Sequence, residues 1–458
     1  MKNLEISALY DIFRTCSGVS TDSRKIEKGT MFFALKGENF NGNNFAKGAL
    51  EQGAYYAVVD DEQMYNANVV LHGQMLLVDD VLTTLQQLAR YNRLQFRIPV
   101  IGLTGTNGKT TTKELITAAL SAKYRVVSTE GNLNNHIGVP LTLLRIDADT
   151  QVAVVEMGAS APDEISLLAS LVCPSFGLVT NVGKAHLLGF GSFEGVKAAK
   201  GELYDNLMEH KKIAFVNVDN PHLLEMAHKR PNLHIVPYGI KNNCARIIKD
   251  GGENPFLKIS VPNPCIEAAC VGEPMEIEIQ THLIGDYNAD NVLAALCIST
   301  YFDVPAAKAV AAIEAYVPSN NRSQMTRTGR NTLIIDAYNA NPTSMAASLE
   351  NFRGIKSDKK VLVLGDMLEL GADSLKEHCS IVELAVSLNA QMVLLVGHEF
   401  ERAVEKLGSD AAFDSAGIRL FADSSILREW LVQQQPSGAT ILIKGSRGTR
   451  LERIFDVL

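Results

Sequence analysis

Residues 101–111 read Ile-Gly-Leu-Thr-Gly-Thr-Asn-Gly-Lys-Thr-Thr, an apolar segment that leads into a glycine-containing turn. This order predicts a β-strand, a phosphate-binding loop and the start of a helix. Glycines allow backbone N–H groups to converge on an anion, and the positive end of the helix dipole points at the same place. Lys109 would reach the terminal phosphates, and Thr110 would hold Mg²⁺. The general P-loop pattern has a glycine where this chain has Leu103, so an ordinary strand-to-helix turn is the alternative.

Length and composition predict three globular domains. The chain has 458 residues, of which 46% are hydrophobic and 21% are charged. This composition is typical of a soluble globular protein. Because a domain usually contains about 100 to 200 residues, a chain of this length should divide into about three. We place the domains at 1–97, 98–317 and 318–458.

Charge and cysteine content exclude several classes of protein. The net charge of -8 provides no basic surface for nucleic acid. Seven cysteines are scattered without a Cys-x-x-Cys pair, which argues against a disulfide framework or a zinc site and fits a reducing cytoplasm. The N-terminus has no basic run, and no apolar run reaches about 18 residues. We therefore expect neither a signal peptide nor a membrane-inserted segment.

The first two domains are predicted to be α/β. Residues 1–97 combine short apolar runs with helical patterns at 43–52 and 81–96, as in a small α/β domain. Beyond the loop at 101–111, apolar segments alternate with helical patterns, which predicts a parallel sheet covered by helices. The predicted strands lie near 126–129, 151–157, 176–182, 212–217 and 234–238. Ligands should bind at the carboxyl ends of these strands.

Polar residues follow two of these strands. Glu156 lies near the end of 151–157, His186 follows 176–182, and residues 131–136 form an amide-rich loop. Taken alone, Glu156 could cap a helix or pair with a lysine, and His186 could be a structural histidine. A buried carboxylate is unfavourable unless it pairs with a charge or a metal. Beside a P-loop, Mg²⁺ on the ATP phosphates is the obvious partner.

The spacing of the apolar residues changes after the central strands. Alternating residues at 257–261 and 275–280 predict antiparallel strands attached to the edge of the central domain. Residues 285–291 then open an alanine-rich helix. Asn288 and Asn291 share one face of it and could read an adenine edge, with helix capping as the alternative.

A linker at 317–322 leads into a third α/β domain. Its strands are predicted at 332–336, 360–365, 392–397, 418–421 and 440–444, and they alternate with helical patterns as in a Rossmann-like fold. Residues 365–371, Gly-Asp-Met-Leu-Glu-Leu-Gly, lack the spaced glycines of a dinucleotide fingerprint. A nicotinamide cofactor is therefore not expected.

Short segments along nearly the whole chain resemble the Mur ligases of peptidoglycan synthesis. They are T-D-S-R at 21–24, A-L-K-G-E at 34–38, T-G-T-N-G-K-T at 104–110, G-N-L-N-N-H-I-G-V-P at 131–140, V-E-M-G-A-S at 155–160, A-H-L-L-G-F-G-S at 185–192, A-K-G-E at 199–202, N-A-D-N at 288–291, D-A-Y-N-A-N-P at 336–342, G-D-M-L-E-L-G at 365–371 and I-K-G-S-R at 443–447. Three positions depart from the family pattern. Asn43 and Tyr287 stand where relatives often have histidine, and residues 320–322 replace a Pro-Gly-Arg linker.

The resemblance implies an ATP-dependent, ADP-forming ligase, and within the family it favours the members that add D-alanyl-D-alanine to UDP-N-acetylmuramoyl-tripeptide. ATP would phosphorylate the tripeptide carboxylate, and the dipeptide amine would attack the acyl phosphate. The enzyme would be a cytoplasmic monomer that uses ATP and Mg²⁺. A folylpolyglutamate synthase of the same superfamily is the alternative, although it should lack T-D-S-R and G-N-L-N-N. A small-molecule kinase would share only the phosphate loop, and a non-catalytic scaffold would not need Glu156, His186 and Asp336 together.

The resemblance also assigns roles to residues, with the UDP substrate on domain 1–97, ATP on 98–317 and the ligase site completed by 318–458. The predicted catalytic residues are Lys109, Glu156, His186 and Lys200. The predicted ATP-binding residues are Thr104, Gly105, Thr106, Asn107, Gly108, Lys109, Thr110, Thr111, Asn288, Asn291, Arg322 and Asp336, the last near the ribose. The predicted substrate-binding residues are Ser20, Thr21, Asp22, Ser23, Arg24, Lys36, Asn132, Asn134, Asn135, Ser160, Asn339 and Asn341. The predicted metal ligands are Thr110, Glu156, His186 and Lys200.

Lys200 is predicted to bind the metal as a carbamate. It lies fourteen residues after His186, the spacing at which relatives carry a lysine modified by CO₂. An ammonium group would repel Mg²⁺, whereas a carbamate supplies the oxygen ligands that this ion prefers. The alternative is a solvated lysine on the surface of its helix.

Overall fold

The computed structural model describes residues 5–249, 254–262, 276–319, 322–408 and 417–458. The N-terminal part forms a four-stranded parallel sheet with the spatial order β1 (Val19–Ser20), β2 (Met31–Phe33), β5 (Tyr56–Val59) and β6 (Met75–Leu77). A two-stranded ribbon is made by β3 (Lys36–Gly37) and β4 (Phe40–Asn41). The helices are α1 (Ile6–Phe13), α2 (Ala46–Glu51), α3 (Glu62–Ala67) and α4 (Val81–Gln95). The helix predicted at 43–52 begins with the 3-10 turn Gly42–Phe45, which the Asn41 side chain caps.

Helix α4 joins this sheet to the rest of the chain. Its Asn92 side chain donates hydrogen bonds to the carbonyl oxygens of Leu143 and Ile146, at 2.9 and 3.0 Å. Arg93, which is also buried, donates from Nε to the Val172 carbonyl oxygen at 3.1 Å, and burial lowers the pKa of its guanidinium. Helix α4 therefore packs closely against the central part of the chain. The domain boundary at residue 97 stays a prediction.

The central part forms a six-stranded parallel sheet, as predicted. Its strands, in spatial order, are β12 (His234–Tyr238), β11 (Ile213–Asn217), β10 (Phe176–Val179), β7 (Val100–Thr104), β9 (Val152–Glu156) and β8 (Val126–Ser128). Its helices are α5 (Lys109–Ser121), α6 (Gly138–Leu143), α7 (Glu164–Val172), α8 (Leu187–Phe190), α9 (Phe193–Glu209), α10 (Pro221–His228), α11 (Ala289–Tyr301) and α12 (Ala306–Ala315).

Strand β7 lies inside this sheet and positions the loop that follows it. All five of its residues are buried, and β9 and β10 pair with its two edges. Burying an apolar side chain contributes about 1.5–3 kcal/mol. The strand predicted at 176–182 ends at Val179, because residues 180–183 turn to hydrogen-bond with the loop after β7.

The predicted antiparallel strands form a three-stranded sheet of their own. Strands β13 (Arg246–Ile248), β14 (Phe256–Pro262) and β15 (Glu276–Ile284) pair with one another and are not hydrogen-bonded to the parallel sheet. Their apolar residues share one core with α5, α11 and α12, so packing rather than strand pairing attaches them. Residue 275 of the predicted strand lies outside the described ranges.

The C-terminal part has the predicted Rossmann-like arrangement. Its sheet has the spatial order β16 (Gln324–Arg327), β17 (Thr332–Asp336), β21 (Thr440–Lys444), β18 (Lys360–Gly365), β19 (Met392–Val396) and β20 (Ile418–Phe421). Only β16 is antiparallel to its neighbour among these strands. The helices are α13 (Pro342–Gly354), α14 (Ser374–Ser387), α15 (His398–Leu407) and α16 (Ser424–Gln434). The boundary at 317/318 stays a prediction, and residues 320 and 321 of the predicted linker lie outside the described ranges.

The helices of the described ranges include none that is both long enough and apolar enough to cross a lipid bilayer.

Candidate active site

The loop after β7 has the backbone of a phosphate-binding turn. Gly105 and Gly108 have φ angles of 145° and 76°, and α5 begins at the next residue, Lys109. A Cβ atom at Gly105 would lie 2.0 Å from the Thr180 hydroxyl oxygen, and one at Gly108 would lie 2.8 Å from the Asn291 carboxamide oxygen. Both positions therefore require glycine, because a side chain would meet the walls that shape the turn.

Residues 180–183 hold this loop in place. Asn107 donates its backbone N–H to Asn181 Oδ1 at 2.9 Å, and its carbonyl oxygen accepts a hydrogen bond from the Thr180 hydroxyl at 2.7 Å. Thr106 donates its backbone N–H to the Asn181 carbonyl oxygen at 2.9 Å, and its hydroxyl oxygen accepts from Gly183 N at 3.0 Å. The two carboxyl ends of β7 and β10 thus form one rigid unit.

Lys109 lies at the start of α5 and folds back over the loop. Its Nζ donates to the carbonyl oxygens of Gly105 and Thr106, at 2.8 and 3.0 Å. Burial lowers the pKa of Lys109 to about 8, Glu156 opposes that shift and Arg322 adds to it. The Lys109 ammonium group is thus held where it could pair with an anion bound above the loop.

Glu156 and Thr110 present oxygen atoms that have no protein partner. Glu156 is 1% exposed; its Oε1 accepts a hydrogen bond from Asn134 Nδ2 at 2.7 Å, while Oε2 accepts none. The buried hydroxyl of Thr110 is likewise without a partner. Buried polar atoms are normally satisfied. The unpartnered oxygen atoms of Glu156 and Thr110 are the kind of ligand that a divalent cation such as Mg²⁺ prefers.

His186 lies at the start of α8 with a φ angle of 50°. Its Nδ1 contacts the carboxylate of Glu369, a residue of the C-terminal domain, and this contact lowers the pKa of Glu369. The contact does not have the angles of a hydrogen bond, so Nδ1 remains without a hydrogen-bonding partner. Within the described ranges, no group of three or more His, Cys, Asp or Glu side chains is arranged to hold a metal ion. Only two of the four predicted ligands, Glu156 and His186, are of those types.

Lys200 lies inside α9 and is 2% exposed, so the alternative of a solvated surface lysine is wrong. Its Nζ donates to the Ala159 carbonyl oxygen at 3.1 Å and lies 5.1 Å from the centre of the Phe190 ring. Burial, with a smaller contribution from the positive charge of Lys109, lowers the pKa of Lys200 to about 7. A large fraction of this amine is therefore neutral near pH 7.

The C-terminal domain contributes the predicted residues Asp336 and Arg322, together with Lys444, which was not predicted. Asp336, at the end of β17, pairs with the buried ammonium of Lys444 and accepts a hydrogen bond from Ser348 at 3.1 Å. Arg322 stacks on Tyr338, with its guanidinium carbon 3.8 Å from the ring centre. Lys444 belongs to the I-K-G-S-R segment. The position of this segment at the end of a predicted strand could have indicated that Lys444 is a site residue.

Asn288 and Asn291 are committed to hydrogen bonds between helices. Asn291 Nδ2 donates to Asn288 Oδ1 at 2.8 Å, and Asn291 Oδ1 accepts from the Thr112 hydroxyl at 2.9 Å. Asn288 Nδ2 donates to the Ile284 carbonyl oxygen at 2.8 Å. The alternative of helix capping is wrong for Asn288, which starts α11 without a capping bond from its side chain. The pair fixes α11 against α5 at the edge of the phosphate loop.

A cleft of about 710 Å³ brings these groups together. The predicted site residues that line it are Thr106, Asn107, Gly108, Lys109, Thr111, Asn132, Asn134, Asn135, Glu156, Ser160, His186, Asn288, Asn291, Arg322, Asp336 and Asn339. Tyr338, Ser348 and Lys444 also line it and were not predicted. Thr104, Gly105 and Thr110 are buried behind the lining, as is Lys200.

Several predicted substrate residues serve structural contacts in this arrangement. Asn341 is 3% exposed; its Oδ1 accepts from Ser344 N at 2.9 Å as the N-cap of α13, and its Nδ2 donates to Asn107 Oδ1 at 2.7 Å. The Ser160 backbone N–H donates to Glu164 at 2.6 Å, and Asn135 Oδ1 accepts from Gly138 N at 2.9 Å. Their roles toward substrate stay predictions.

The remaining predicted substrate residues lie in the N-terminal part of the chain, at the end of β1, in the turn after it and in β3. Arg24 binds Asp22 through two hydrogen bonds of 2.8 Å, which hold the pKa of that carboxyl well below its usual range. Lys36 pairs with Asp60 at 2.9 Å, and Asn43, which is buried, donates to the same carboxylate at 2.8 Å. Among the described residues that line the cleft, none comes from Ser20, Thr21, Asp22, Ser23, Arg24 or Lys36.

Comparison with known proteins identifies the family. UDP-N-acetylmuramoyl-tripeptide--D-alanyl-D-alanine ligase of Bacillus subtilis (strain 168) is 35% identical over 451 residues, covering 96% of this chain and 93% of that protein. The protein of that name from Escherichia coli (strain K12) is 34% identical and covers 100% of this chain and 99% of its own length. The chain belongs to the Mur ligase family. Family models described as Mur ligase family, catalytic domain, Mur ligase middle domain, and Mur ligase, glutamate ligase domain match residues 15–93, 103–299 and 321–447.

Solved structures of Mur ligases share the whole fold of this chain. MurF from Acinetobacter baumannii has a TM-score of 0.80 at 27% identity, and MurF ligase from Thermotoga maritima, in complex with ADP, has 0.79 at 26% identity. Each covers 98% of this chain and 97% of its own. A folylpolyglutamate synthase of Mycobacterium tuberculosis has a TM-score of 0.57 at 17% identity, which shows a shared fold alone.

Proposed function

We propose that this Mur ligase uses ATP to join D-alanyl-D-alanine to UDP-N-acetylmuramoyl-tripeptide, forming the UDP-muramoyl-pentapeptide of peptidoglycan synthesis. One observation carries the proposal: a phosphate loop, the unpaired Glu156 carboxylate and the C-terminal Asp336 face a single cleft, in a chain that matches ligases of that name over its full length. A folylpolyglutamate synthase is not favoured, because its likeness extends to the fold alone.

The cleft suits a reaction with two chemical steps. A carboxylate is a poor electrophile, so the tripeptide carboxylate first attacks the γ-phosphorus of ATP and ADP leaves. The dipeptide amine then attacks the carbonyl carbon of the acyl phosphate, loses a proton, and displaces inorganic phosphate as the amide forms. A closed cleft between two domains excludes the water that would hydrolyse the acyl phosphate.

The residues of the phosphate loop would bind and orient ATP. Backbone N–H groups at the start of α5 would cradle the phosphates, because those of Thr106 and Asn107 already donate to Asn181. Lys109 would neutralise charge on the γ-phosphoryl group as it moves. Asn288 and Asn291 form the wall that would face the adenine, and Arg322 and Asp336 approach from the C-terminal domain. The dinucleotide fingerprint is absent from residues 365–371, which agrees with a C-terminal domain that completes an ATP site.

Thr110 and Glu156 would hold the magnesium ion of ATP. Glu156 and His186, with carbamylated Lys200, would hold a second ion. Mg²⁺ supplies positive charge next to the phosphates. The unpartnered oxygens of Thr110 and Glu156 support the first set. For the second, a buried amine with a pKa of about 7 supports carbamylation, in which the neutral nitrogen attacks CO₂ and releases one proton.

The N-terminal domain would bind the UDP part of the substrate. Ser20, Thr21, Asp22, Ser23, Arg24 and Lys36 form a charged and hydroxyl-bearing group away from the ATP cleft, as separate recognition of the two substrates requires. The five described cysteines are free thiols, which agrees with a cytoplasmic enzyme. We propose a monomer, which sedimentation equilibrium of the purified protein tests.

Mass spectrometry of the product tests the proposed function. The purified protein is incubated with ATP, Mg²⁺, D-alanyl-D-alanine and UDP-muramoyl-tripeptides that carry either diaminopimelate or lysine at the third position. A UDP-muramoyl-pentapeptide should form from at least one tripeptide. If neither tripeptide is extended while a folate is polyglutamylated, the alternative ligase is the correct one.

A further inference from the structure

Residues 181–190, which we call the connector segment, contact both the phosphate loop and the C-terminal domain. At its start, Asn181 accepts the backbone N–H of Asn107. A Cβ atom at Gly183 would lie 2.9 Å from the Thr343 hydroxyl oxygen of α13, so the two domains meet here without room for a side chain. At its far end, Leu188 donates its N–H to the Glu369 carbonyl oxygen at 3.3 Å. A displacement of the C-terminal domain must therefore act on the loop that binds phosphate.

The connector segment contains an ion pair between the two domains. Lys184 Nζ donates to Glu377 Oε1 of α14 at 2.6 Å. The side chain of Glu377 is 11% exposed, whereas that of Lys184 is 48% exposed. Within the part of the chain that the structure describes, Lys184 supplies the only hydrogen bond to the Glu377 carboxylate. A carboxylate buried in one domain thus depends on a cation from the other.

A second contact shows what this ion pair aligns. The carboxamides of Asn107 and Asn341 meet, with Asn341 Nδ2 donating to Asn107 Oδ1 at 2.7 Å. Asn341 is fixed because it is also the N-cap of α13. The phosphate loop and the first turn of α13 therefore meet directly. Asn181, which accepts the backbone N–H of Asn107, lies three residues before Lys184 in the connector segment.

We propose that the Lys184–Glu377 ion pair is a positioning contact that docks the C-terminal domain on the phosphate loop for the ligase reaction. The inference rests on the proposed function and adds two residues that touch neither substrate. Loss of either partner releases the C-terminal domain, so Asp336 and Arg322 leave the cleft for part of the time. The central domain keeps its own loop, so ATP binding changes less than turnover does.

Steady-state kinetics of charge variants test this contact. Lys184→Met and Glu377→Gln should each lower kcat by about tenfold, and KM for ATP should rise by a smaller factor, because the phosphate loop stays in place. The exchanged double variant, Lys184→Glu with Glu377→Lys, should recover activity above the product of the losses in Lys184→Glu and Glu377→Lys alone. Lys258→Met and Glu278→Gln are the matched controls, because that pair also spans 2.6 Å but lies within one sheet of the central domain. They should leave kcat unchanged.

Small-angle X-ray scattering of the full chain provides a readout that needs no turnover. Both single variants should have a larger radius of gyration than the wild type, and the exchanged variant a smaller one than either. Thermal melts check folding, and Lys184→Met changes only the half-exposed partner, so it stays usable if Glu377→Gln does not fold.

The outcomes separate this contact from the proposed function. Wild-type kcat and radius in both single variants would overturn the proposal. So would an exchanged variant no better than the product of the singles, because the residues would then act separately. A wild-type protein without ligase activity would contradict the proposed function, and the scattering comparison would still decide whether the ion pair holds the domains together.

Discussion

Replacing Lys200 with methionine should make the protein more stable and nearly inactive. Lys200 is 2% exposed, and its Nζ has a single hydrogen bond of 3.1 Å, to the Ala159 carbonyl oxygen. Methionine fills a similar volume and carries no charge. The unfavourable burial of the ammonium group disappears with the substitution, while the proposed carbamate is lost.

The pKa of Lys200 gives the size and the sign of this effect. Burial lowers it from 10.5 to about 7, and one pKa unit corresponds to about 1.36 kcal/mol, so the charged folded form is disfavoured by about 5 kcal/mol at most. Between pH 7 and 10.5 the unfolded chain binds this proton and the folded chain does not, so wild-type stability rises with pH in that window. The advantage of Lys200→Met is therefore greatest near and below pH 7 and shrinks as the pH rises.

Urea unfolding of both proteins at pH 7 and pH 9.5, in buffer freed of CO₂, measures this difference. Lys197→Met is the control on the same helix: Lys197 is also buried, but its hydrogen bond to Glu225 raises its pKa, so its replacement should destabilise the protein. Added bicarbonate should stabilise the wild type at pH 8 and leave Lys200→Met unchanged. A Lys200→Met variant less stable than the wild type at both pH values would refute the reasoning about burial.

Three further changes test the site. Lys109→Ala should abolish ligation without lowering the melting temperature, since Lys109 offsets phosphate charge; normal turnover in the folded variant would contradict its role. Lys444→Met should destabilise the protein by roughly 3 kcal/mol in urea unfolding and lower kcat, because the Asp336 carboxylate loses its cation; unchanged values in both measurements would count against that pair. Lys36→Ala should raise KM for the UDP substrate about tenfold and leave KM for ATP unchanged, whereas equal changes in both would argue against separate binding sites.

The strand and loop at 100–109 were predictable because local chemistry determines them. A Cβ atom at residue 105 or 108 would lie only 2.0 or 2.8 Å from a neighbouring side chain, so only a glycine-containing turn fits. The strict alternation of apolar and polar residues likewise predicted the antiparallel strands β14 and β15, which pair with each other. It did not reveal how that sheet attaches, because apolar packing against α11 and α12 leaves no local pattern.

The groups that sequence reasoning missed depend on contacts distant in the chain. Lys444 pairs with Asp336 across 108 residues, and Tyr338, which was not predicted, stacks on the predicted Arg322. Lys200 was predicted as a carbamate from the resemblance alone, because a lysine on a helix is usually exposed and no local pattern indicates its burial. Asn341 carried a motif, but its capping bond and its contact with Asn107 become visible only in the folded chain.

The initial rate of ADP release tests the central claim most directly. It is measured with ATP and Mg²⁺ in four mixtures, namely with UDP-muramoyl-tripeptide and D-alanyl-D-alanine together, with each alone, and with neither. The proposed ligase predicts sustained ADP release only when both acceptors are present, and none from Lys109→Ala. ADP release at the full rate without the dipeptide, or without the tripeptide, would contradict a reaction in which an acyl phosphate is captured by the dipeptide amine.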